Sequence, residues 1–581
     1  MLQKLLTLSI LVLFISVGMV QSRDDRTERT HKVTDGSEIY QNDGSFQPNF
    51  VSTYYPPVHG ASLTYTFQPT GVFTVYDLQS NGVPNEIWQD PLTPLNVHAT
   101  FMYSTVPGFA TRSCAYMFSN DGGSTWTFLG DVPSSGRSGF PSISGYTNGA
   151  AVIANHNDNG GTTTRTKINY DAGPGFGVFT QLDPGDSPGG QAIWPRVVGI
   201  ESDKTAFASA INGQILSYTN SSNNGTFSGW VEYNGDQAET YSLSVAPNGT
   251  VGHAYIGAGN GTDDNDVFYR FSTDNGVTWS TSQRIWDWNI ATDSLGCLRG
   301  VSMSFGTNNE PYVAFNISTL TETGFFPGLP SSIRLWSPAV NGGVPVIMAD
   351  QSTVPFFPNQ GATTDAFLPL CRPSIGRSSV GGGLFCAYNA TTGEYGTDTS
   401  AYYAVWFSYS GDFGNTWSTP ERVTPATPLR DWRFVSVSQV NNTSGNSTLV
   451  QMLVQSDSLA GTHVNGSPIG QGEAVGIKTE VIVGINNISS TVPGDYSLAQ
   501  NFPNPFNPTT SIRFDIKNTS NITLKVYNAN GQEVATLVNN EVVTPGTKEV
   551  SFNGNNLSSG IYFYTLFAGD FKETKKMMLI K

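Results

Sequence analysis

The pattern Ser-x-Asp-x-Gly-x-x-Trp occurs three times without a mismatch, at Ser119, Asp121, Gly123 and Trp126, at Ser272, Asp274, Gly276 and Trp279, and at Ser410, Asp412, Gly414 and Trp417. A repeat of this kind restricts the chain to an array of like units. Asp and Gly tolerate turn backbone, the carboxylate accepts nearby N–H groups, and the indole pins the hairpin onto its own sheet. Weakened copies lie between the perfect ones: Asn169, Asp171, Gly173 and Phe176; Ser221, Asn223 and Gly225; Ser337 and Ala339. The third positions fall at 121, 171, 223, 274, 339 and 412, so the spacings of 50, 52, 51, 65 and 73 residues each fit one four-stranded blade, the last two with insertions.

Alternating hydrophobicity and Gly/Asn turns predict sets of four strands at 140–146, 150–156, 165–171 and 177–182, then at 195–200, 205–211, 214–219 and 229–233. The grouping restarts at Tyr241, Leu298, Arg372 and Arg433. The last set, 434–440, 448–455 and 476–485, has neither a fourth strand nor a copy of the turn, and a strand at 63–67 or 72–78 would supply one and close a ring. This count gives seven blades, with six as the alternative. The 62 Gly, 33 Pro and only 13% charged residues leave no stretch rich enough in Ala, Glu, Lys and Leu for long helices. The turn pattern resembles the Asp-box of sialidase-like β-propellers. The expected fold class is therefore all-β: an Asp-box propeller over 23–485, a linker over 486–495, and a small Ig-like β-sandwich over 496–581.

Lys4, an apolar run from Leu5 to Val17, Gly18 and the small Ser22 read as a secretory signal peptide over 1–22, after whose cleavage no membrane span is expected. The C-terminal segment carries Tyr496-Ser-Leu-Ala-Gln-Asn-Phe-Pro-Asn-Pro-Phe-Asn-Pro, then Lys525-Val-Tyr-Asn-Ala-Asn-Gly-Gln-Glu-Val, then Leu557-Ser-Ser-Gly-Ile-Tyr-Phe-Tyr, and ends Lys575-Lys-Met-Met-Leu-Ile-Lys. Its own pattern is an antiparallel sandwich with strands at 523–527, 549–552 and 561–567 and turns at Asn530-Gly531 and Ser559-Gly560. The three ordered motifs resemble the type A C-terminal sorting domain of the type IX, or Por, secretion system. That resemblance implies the type IX machinery as a partner and export to the outer-membrane surface or exterior of a Gram-negative cell. The passenger would then be fixed to surface lipopolysaccharide or released.

The formal charge of −16 disfavours nucleic acid, because phosphate binding wants a basic face. Chemistry is expected where the first strands converge on the axis. Arginines recur there, Arg196, Arg299, Arg372 and Arg433, with Trp432 beside the last. Planar guanidinium groups match a carboxylate bidentately, and an arginine triad grips the substrate in sialidases, so convergence would suit an anionic sugar. The carboxylates near them, Glu239, Asp293, Asp365 and Asp431, together with Tyr241, are the candidates for glycoside hydrolysis. Ion pairs tying blades together are the alternative reading. The Phe/Tyr-Arg-Ile-Pro motif of sialidases is absent; the nearest stretches are Ile193-Trp-Pro-Arg and Cys371-Arg-Pro. The triad therefore does not carry over residue by residue.

Cys371 and Cys386 flank a hairpin and form a candidate disulfide, with buried free thiols as the alternative. The acidic loop Asp263, Asp264, Asn265, Asp266 could hold a structural Ca²⁺ but lacks EF-hand spacing, and no metal site or other cofactor is expected from the histidines. Three functions follow for an exported propeller. One is a non-catalytic protein that binds a glycan, a surface polysaccharide or a protein, for which Trp88, Trp194 and Trp432 would stand at the rim. The others are a sialidase-like glycoside hydrolase and a self-assembling structural subunit.

Overall fold

The computed structural model describes residues 63–580 apart from 258–264, 357–367, 463–469 and shorter stretches. The repeats fold as blades of antiparallel strands, written here in order from the axis outward. Blade 1 holds Ile87–Gln89, Val97–Tyr103, Ser113–Ser119 and Thr127–Asp131. Blade 2 holds Ser138–Gly145, Ala151–Asn157, Arg165–Asp171 and Phe179–Leu182, and blade 3 Ala192–Ile200, Lys204–Ile211, Ile215–Ser222 and Val231–Asn234. Blade 4 holds Tyr241–Val245, Val251–Ile256, Val267–Ser272 and Gln283–Trp286. Blade 5 is built on Val301–Phe305, Pro311–Thr321, Ser331–Trp336 and Val346–Asp350, with short additions at Leu295–Gly296 and Gly324–Phe325. Blade 6 holds Leu370–Ser378, Leu384–Tyr395, Ala401–Ser410 and the two-residue Glu421–Arg422.

Blade 7 is composite. Asp431–Val437, Ser447–Asp457 and Gly472–Ile482 come from the end of the propeller, and the outermost strand, Tyr65–Thr74, comes from its beginning. Tyr65 pairs with Thr479 and Thr74 with Gly472, so a single strand with a bulge between Pro69 and Phe73 spans parts of both stretches expected to close the ring. Closure is tied to the next blade: Glu421 accepts the Leu63 N–H at 3.3 Å and the Tyr65 hydroxyl. The described sheets thus make seven blades.

First and second strands are largely buried, Asp431–Val437 and Ala151–Asn157 along their whole length, whereas outer strands such as Thr127–Asp131 are largely exposed. Small residues let the inner strands converge. A Cβ on Gly199 would lie 2.5 Å from the Gly145 carbonyl oxygen, and one on Gly376 would lie 2.1 Å from that of Ser438. Between blades the core is apolar; Phe385, Val405 and Phe407 of blade 6 meet Val435, Met452 and Val475 of blade 7. Each such side chain contributes about 1.5–3 kcal/mol on burial.

Successive strands alternate in direction, which gives the propeller two distinct faces. Inner strands start at the upper face. The Ser-x-Asp-x-Gly-x-x-Trp turns link third strands to fourth strands and therefore lie at the lower face. In blade 7 that link does not exist, because the fourth strand arrives from elsewhere in the chain, and this explains why the motif is missing there.

The C-terminal domain is a sandwich of two four-stranded sheets, one ordered Asn486–Ser489, Gly546–Asn553, Thr509–Ile516, Ser497–Leu498 and the other Glu533–Val543, Ser520–Asn528, Gly560–Ala568, Phe571–Leu579. Its first strand lies inside the stretch expected to be linker, since Asn486 pairs with Glu549. Phe514, Leu524, Val550, Tyr564 and Leu566 fill the core. The Pro/Asn-rich segment is clamped to it: Phe506 is buried, its N–H donates to the Met578 carbonyl at 2.9 Å, and the Tyr564 hydroxyl donates to the Ala499 carbonyl at 2.8 Å.

Candidate functional site

Four inner strands carry the same irregularity near the upper face. Phe140, Trp194, Arg372 and Phe434 have φ of 53°, 55°, 54° and 58°, and at each the ladder to the second strand skips. A bulge of this kind re-aims side chains, and left-handed backbone in a bulky residue is held only by its surroundings. Three of the four are followed by proline, Pro141, Pro195 and Pro373, which has no N–H for the interrupted ladder to lose.

The residue after each bulge bonds the next blade. Ser142 Oγ accepts the Val197 N–H at 3.3 Å, Ser374 the Val437 N–H at 2.9 Å, and Ser436 the Glu86 N–H at 2.9 Å. In blades 4 and 5, Ser242 accepts from Met303 at 3.1 Å and Ser302 from Ile375 at 3.2 Å. Blade 3 has Arg196 in this place. Its Nη2 donates to the Val83 carbonyl at 3.1 Å, and from blade 6 Arg372 Nη1 donates to the Gly82 carbonyl at 2.9 Å. Further along, Gln439 of blade 7 crosses to the Leu243 carbonyl of blade 4 at 2.7 Å, while its own carbonyl accepts the Arg377 N–H at 3.0 Å. The axial cavity left among these groups measures ≈ 10 Å³, room for about one water.

Among the described residues, the candidate arginines and acids therefore do not open on a common pocket. Arg433 pairs with Asp431, Nε to Oδ2 at 2.5 Å, donates to the Ala401 carbonyl at 2.6 Å, and stacks 4.5 Å above the Tyr403 ring. Asp431 also accepts the N–H groups of Tyr403 at 2.8 Å and Gly461 at 3.0 Å. This cluster fastens blade 6 to blade 7. Tyr241 is fully buried with its hydroxyl donating to the Trp194 carbonyl at 2.5 Å. Trp88, Trp194 and Trp432 are buried rather than displayed at the rim, and Trp432 packs against Phe67 at 5.8 Å. Glu239, Asp293, Arg299 and Asp365 lie outside the described residues, as do Asp263 and Asp264. Asp266 is fully buried, accepting the Trp288 N–H at 2.6 Å and facing Arg284 at 3.0 Å. Among the described residues no cluster of metal-ligating side chains forms.

Cys371 and Cys386 do not bridge. The bulge at Arg372-Pro373 shifts the register so that Cys371 stands opposite Asn389 and Cys386 opposite Ile375, and both are buried free thiols. Burial pushes the Cys386 thiol far up from its ordinary value.

At the lower face the three perfect turns share one geometry. Ser119 Oγ donates to Asp121 at 2.8 Å and accepts the Gly123 N–H at 2.9 Å, and Asp121 accepts the N–H groups of Ser124 and Thr125, each at 2.9 Å. Ser272 with Asp274 and Ser410 with Asp412 repeat the Ser–Asp and Gly–Ser bonds, and their carboxylates accept the N–H groups of Thr278 and Thr416, each at 2.8 Å. Burial acts to raise the Asp121 carboxyl, but hydrogen bonds from Thr125, Ser119 and Ser124 outweigh it and hold the group at about 2. These carboxylates are consumed by the turn.

Sequence reasoning missed a groove at the upper rim between blades 6 and 7. Phe73, Glu473, Ser456 and Trp432 oppose one another in register across all four strands of blade 7 and so share one face. With Phe67 and Arg430 they line a cavity of ≈ 640 Å³. Blade 6 leaves this end open because its outer strand is only two residues long. Arg430 is held by Ser456, through Nε to Oγ at 2.5 Å and Nη2 to the carbonyl at 3.2 Å. Burial raises the Glu473 carboxyl above the ordinary value, opposed by a hydrogen bond from Gly71 and the charge of Arg430. No local sequence pattern marks this face, because its row joins residues 73, 432, 456 and 473 from distant stretches.

Residues 500–581 match the family described as the secretion system C-terminal sorting domain. The C-terminal sandwich is a sorting domain. Through it the chain is addressed to the type IX secretion machinery and so to the cell surface or extracellular space. No curated protein matches the chain in sequence. Solved structures similar to it include the α-L-arabinofuranosidase Arb93A of Fusarium graminearum, at 13% identity over 60% of this chain and 97% of that one with a TM-score of 0.33. A protein of unknown function from Dyadobacter fermentans is similar at 12% identity over 72% and 94% of the two chains, TM-score 0.29. The α-L-arabinofuranosidase PaAbf62A of Podospora anserina is similar at 11% identity over 59% and 90%, TM-score 0.28. The propeller is the passenger of this sorting domain.

Proposed function

We propose that the passenger is a non-catalytic binding protein that engages a glycan at the cell surface or outside the cell. The observation that carries this reading is the commitment of the axial arginines. Arg196 and Arg372 spend donors on the main chain of Val83 and Gly82, Arg433 is paired with Asp431, and the axial cavity beside Arg196, ≈ 10 Å³, is too small for a sugar. A hydrolase on this scaffold needs two carboxylates, or a tyrosine and a carboxylate, facing one pocket. The described candidates, Tyr241 and Asp431, instead serve the packing of neighbouring blades. Rigid blades suit recognition without turnover. The test is a glycan and polysaccharide array probed with the chain from residue 23 onward. Selective retention on glycans is expected, and a blank array would contradict the reading.

A further inference from the structure

Resting on the glycan-binding reading, we infer that the groove between blades 6 and 7 is the ligand site and that it takes a neutral oligosaccharide. The floor is the cross-strand row Phe73, Glu473, Ser456, Trp432, which sets an aromatic ring, a carboxylate and a hydroxyl side by side. Phe73 is 48% exposed and lines the groove, so its ring is open to a ligand lying there. Adjacent to the row, Arg430 is fixed by two hydrogen bonds to Ser456 and enters the groove as an oriented donor. Pro69 and Pro425 form stiff walls.

The chemistry selects the ligand class. A cavity of ≈ 640 Å³ is of the size that small ligands occupy. One guanidinium and one carboxylate face the same space, so a polyanion meets Glu473 and a polycation meets Arg430. A neutral polyhydroxyl chain uses both: its hydroxyls donate to Glu473 and accept from Arg430, while the apolar C–H face of a sugar ring lies on Phe73. The net charge of −16 over the chain points away from polyanions as well. The groove opens at the upper face, opposite the carboxylate turns, and its floor continues into the apolar face of Val454, Val475 and Met452, so Phe73 and Glu473 stand on packed strands, while Arg430, just before Asp431–Val437, is fixed through Ser456.

The test uses the chain from residue 23 onward and isothermal titration with cello-, xylo-, manno- and maltohexaose, with hexagalacturonate as the charged comparator. Phe73→Ala and Glu473→Gln change exposed or half-buried side chains, and Phe176→Ala, at a 65% exposed ring on blade 2, is the control. At least one neutral hexaose is expected to bind, about tenfold or more weaker in each groove variant and unchanged in the control. Binding that both groove variants leave intact would overturn the site while leaving the glycan-binding reading standing. Binding confined to hexagalacturonate would overturn the neutral class. Failure of every neutral hexaose would overturn the inference, and only a blank array would remove the reading beneath it.

Discussion

Arg372 on blade 6 donates to the main-chain oxygen of Gly82 at 2.9 Å, across 290 positions of sequence. The segment that leaves the ring-closing strand is thereby bolted to the inner end of a blade almost opposite it in the chain. Arg372 also stacks 5.2 Å above the Phe434 ring of blade 7. Replacing it by alanine strands a buried carbonyl and removes a cation from an aromatic face, so a loss of roughly 2–4 kcal/mol is expected. The eleven tryptophans all precede residue 433, so their fluorescence during urea denaturation reports the propeller alone. An unchanged midpoint in Arg372→Ala would show that the bolt is idle.

A second buried cation sits in blade 4. Arg270 lies 3.9 Å from the Tyr233 ring centroid, 4.8 Å from Tyr218 and 5.3 Å from Trp279. Lysine keeps the charge but not the flat guanidinium that stacks on several rings at once. Arg270→Lys is expected to cost about 1–2 kcal/mol by the same denaturation measurement. A cost near zero would mean that charge alone matters there.

Acid should unfold the propeller sooner than its carboxylates alone would. His98, His156 and His253 are buried and held below their ordinary value of 6.5, mainly by burial, with His98 at about 3; Arg112 and Arg137 add to this at His156 and Arg270 at His253. A histidine depressed in the folded state contributes stability that is complete above 6.5 and lost as pH falls below it towards the folded value. Each contributes a slope of about 1.4 kcal/mol per pH unit once the unfolded form is protonated. The urea midpoint is therefore expected to fall steeply from pH 6.5 to pH 4, and less steeply in His98→Gln. Equal slopes in the two proteins would contradict this.

The turns at the lower face are expected to behave as independent caps. Ser272→Ala removes both the donor to Asp274 and the acceptor of the Gly276 N–H. A cost of about 1–2 kcal/mol is expected, as for loss of a helix cap. Ser119→Ala should cost about the same and add to it, since the turns share no partners.

Much of this was legible in the sequence, for reasons that also mark where legibility ends. The motif spacing located the third-to-fourth connections, and with them the blades, because each copy is a local hydrogen-bonded turn. The closing strand could be placed only to one of two stretches, since the bulge between Pro69 and Phe73 breaks its alternation. The Arg196-type residues were legible as axial but not as occupied: what they bind, Gly82 and Val83, belongs to no repeat. The Cys371 and Cys386 pairing failed because a bulge within one strand moves the register, and a pattern of residues does not record a bulge. The groove escaped notice because its row is assembled from residues 73, 432, 456 and 473.

The most direct measurement is release of sugar or fluorophore from a broad set of glycosides and polysaccharides, sialosides and arabinosides included, by the chain from residue 23 onward. An axis closed by Arg196, Arg372 and Gln439 leaves no turnover above the buffer rate. Turnover that disappears in Tyr241→Phe or Arg372→Ala variants that remain folded would contradict the closed axis and make the propeller an enzyme.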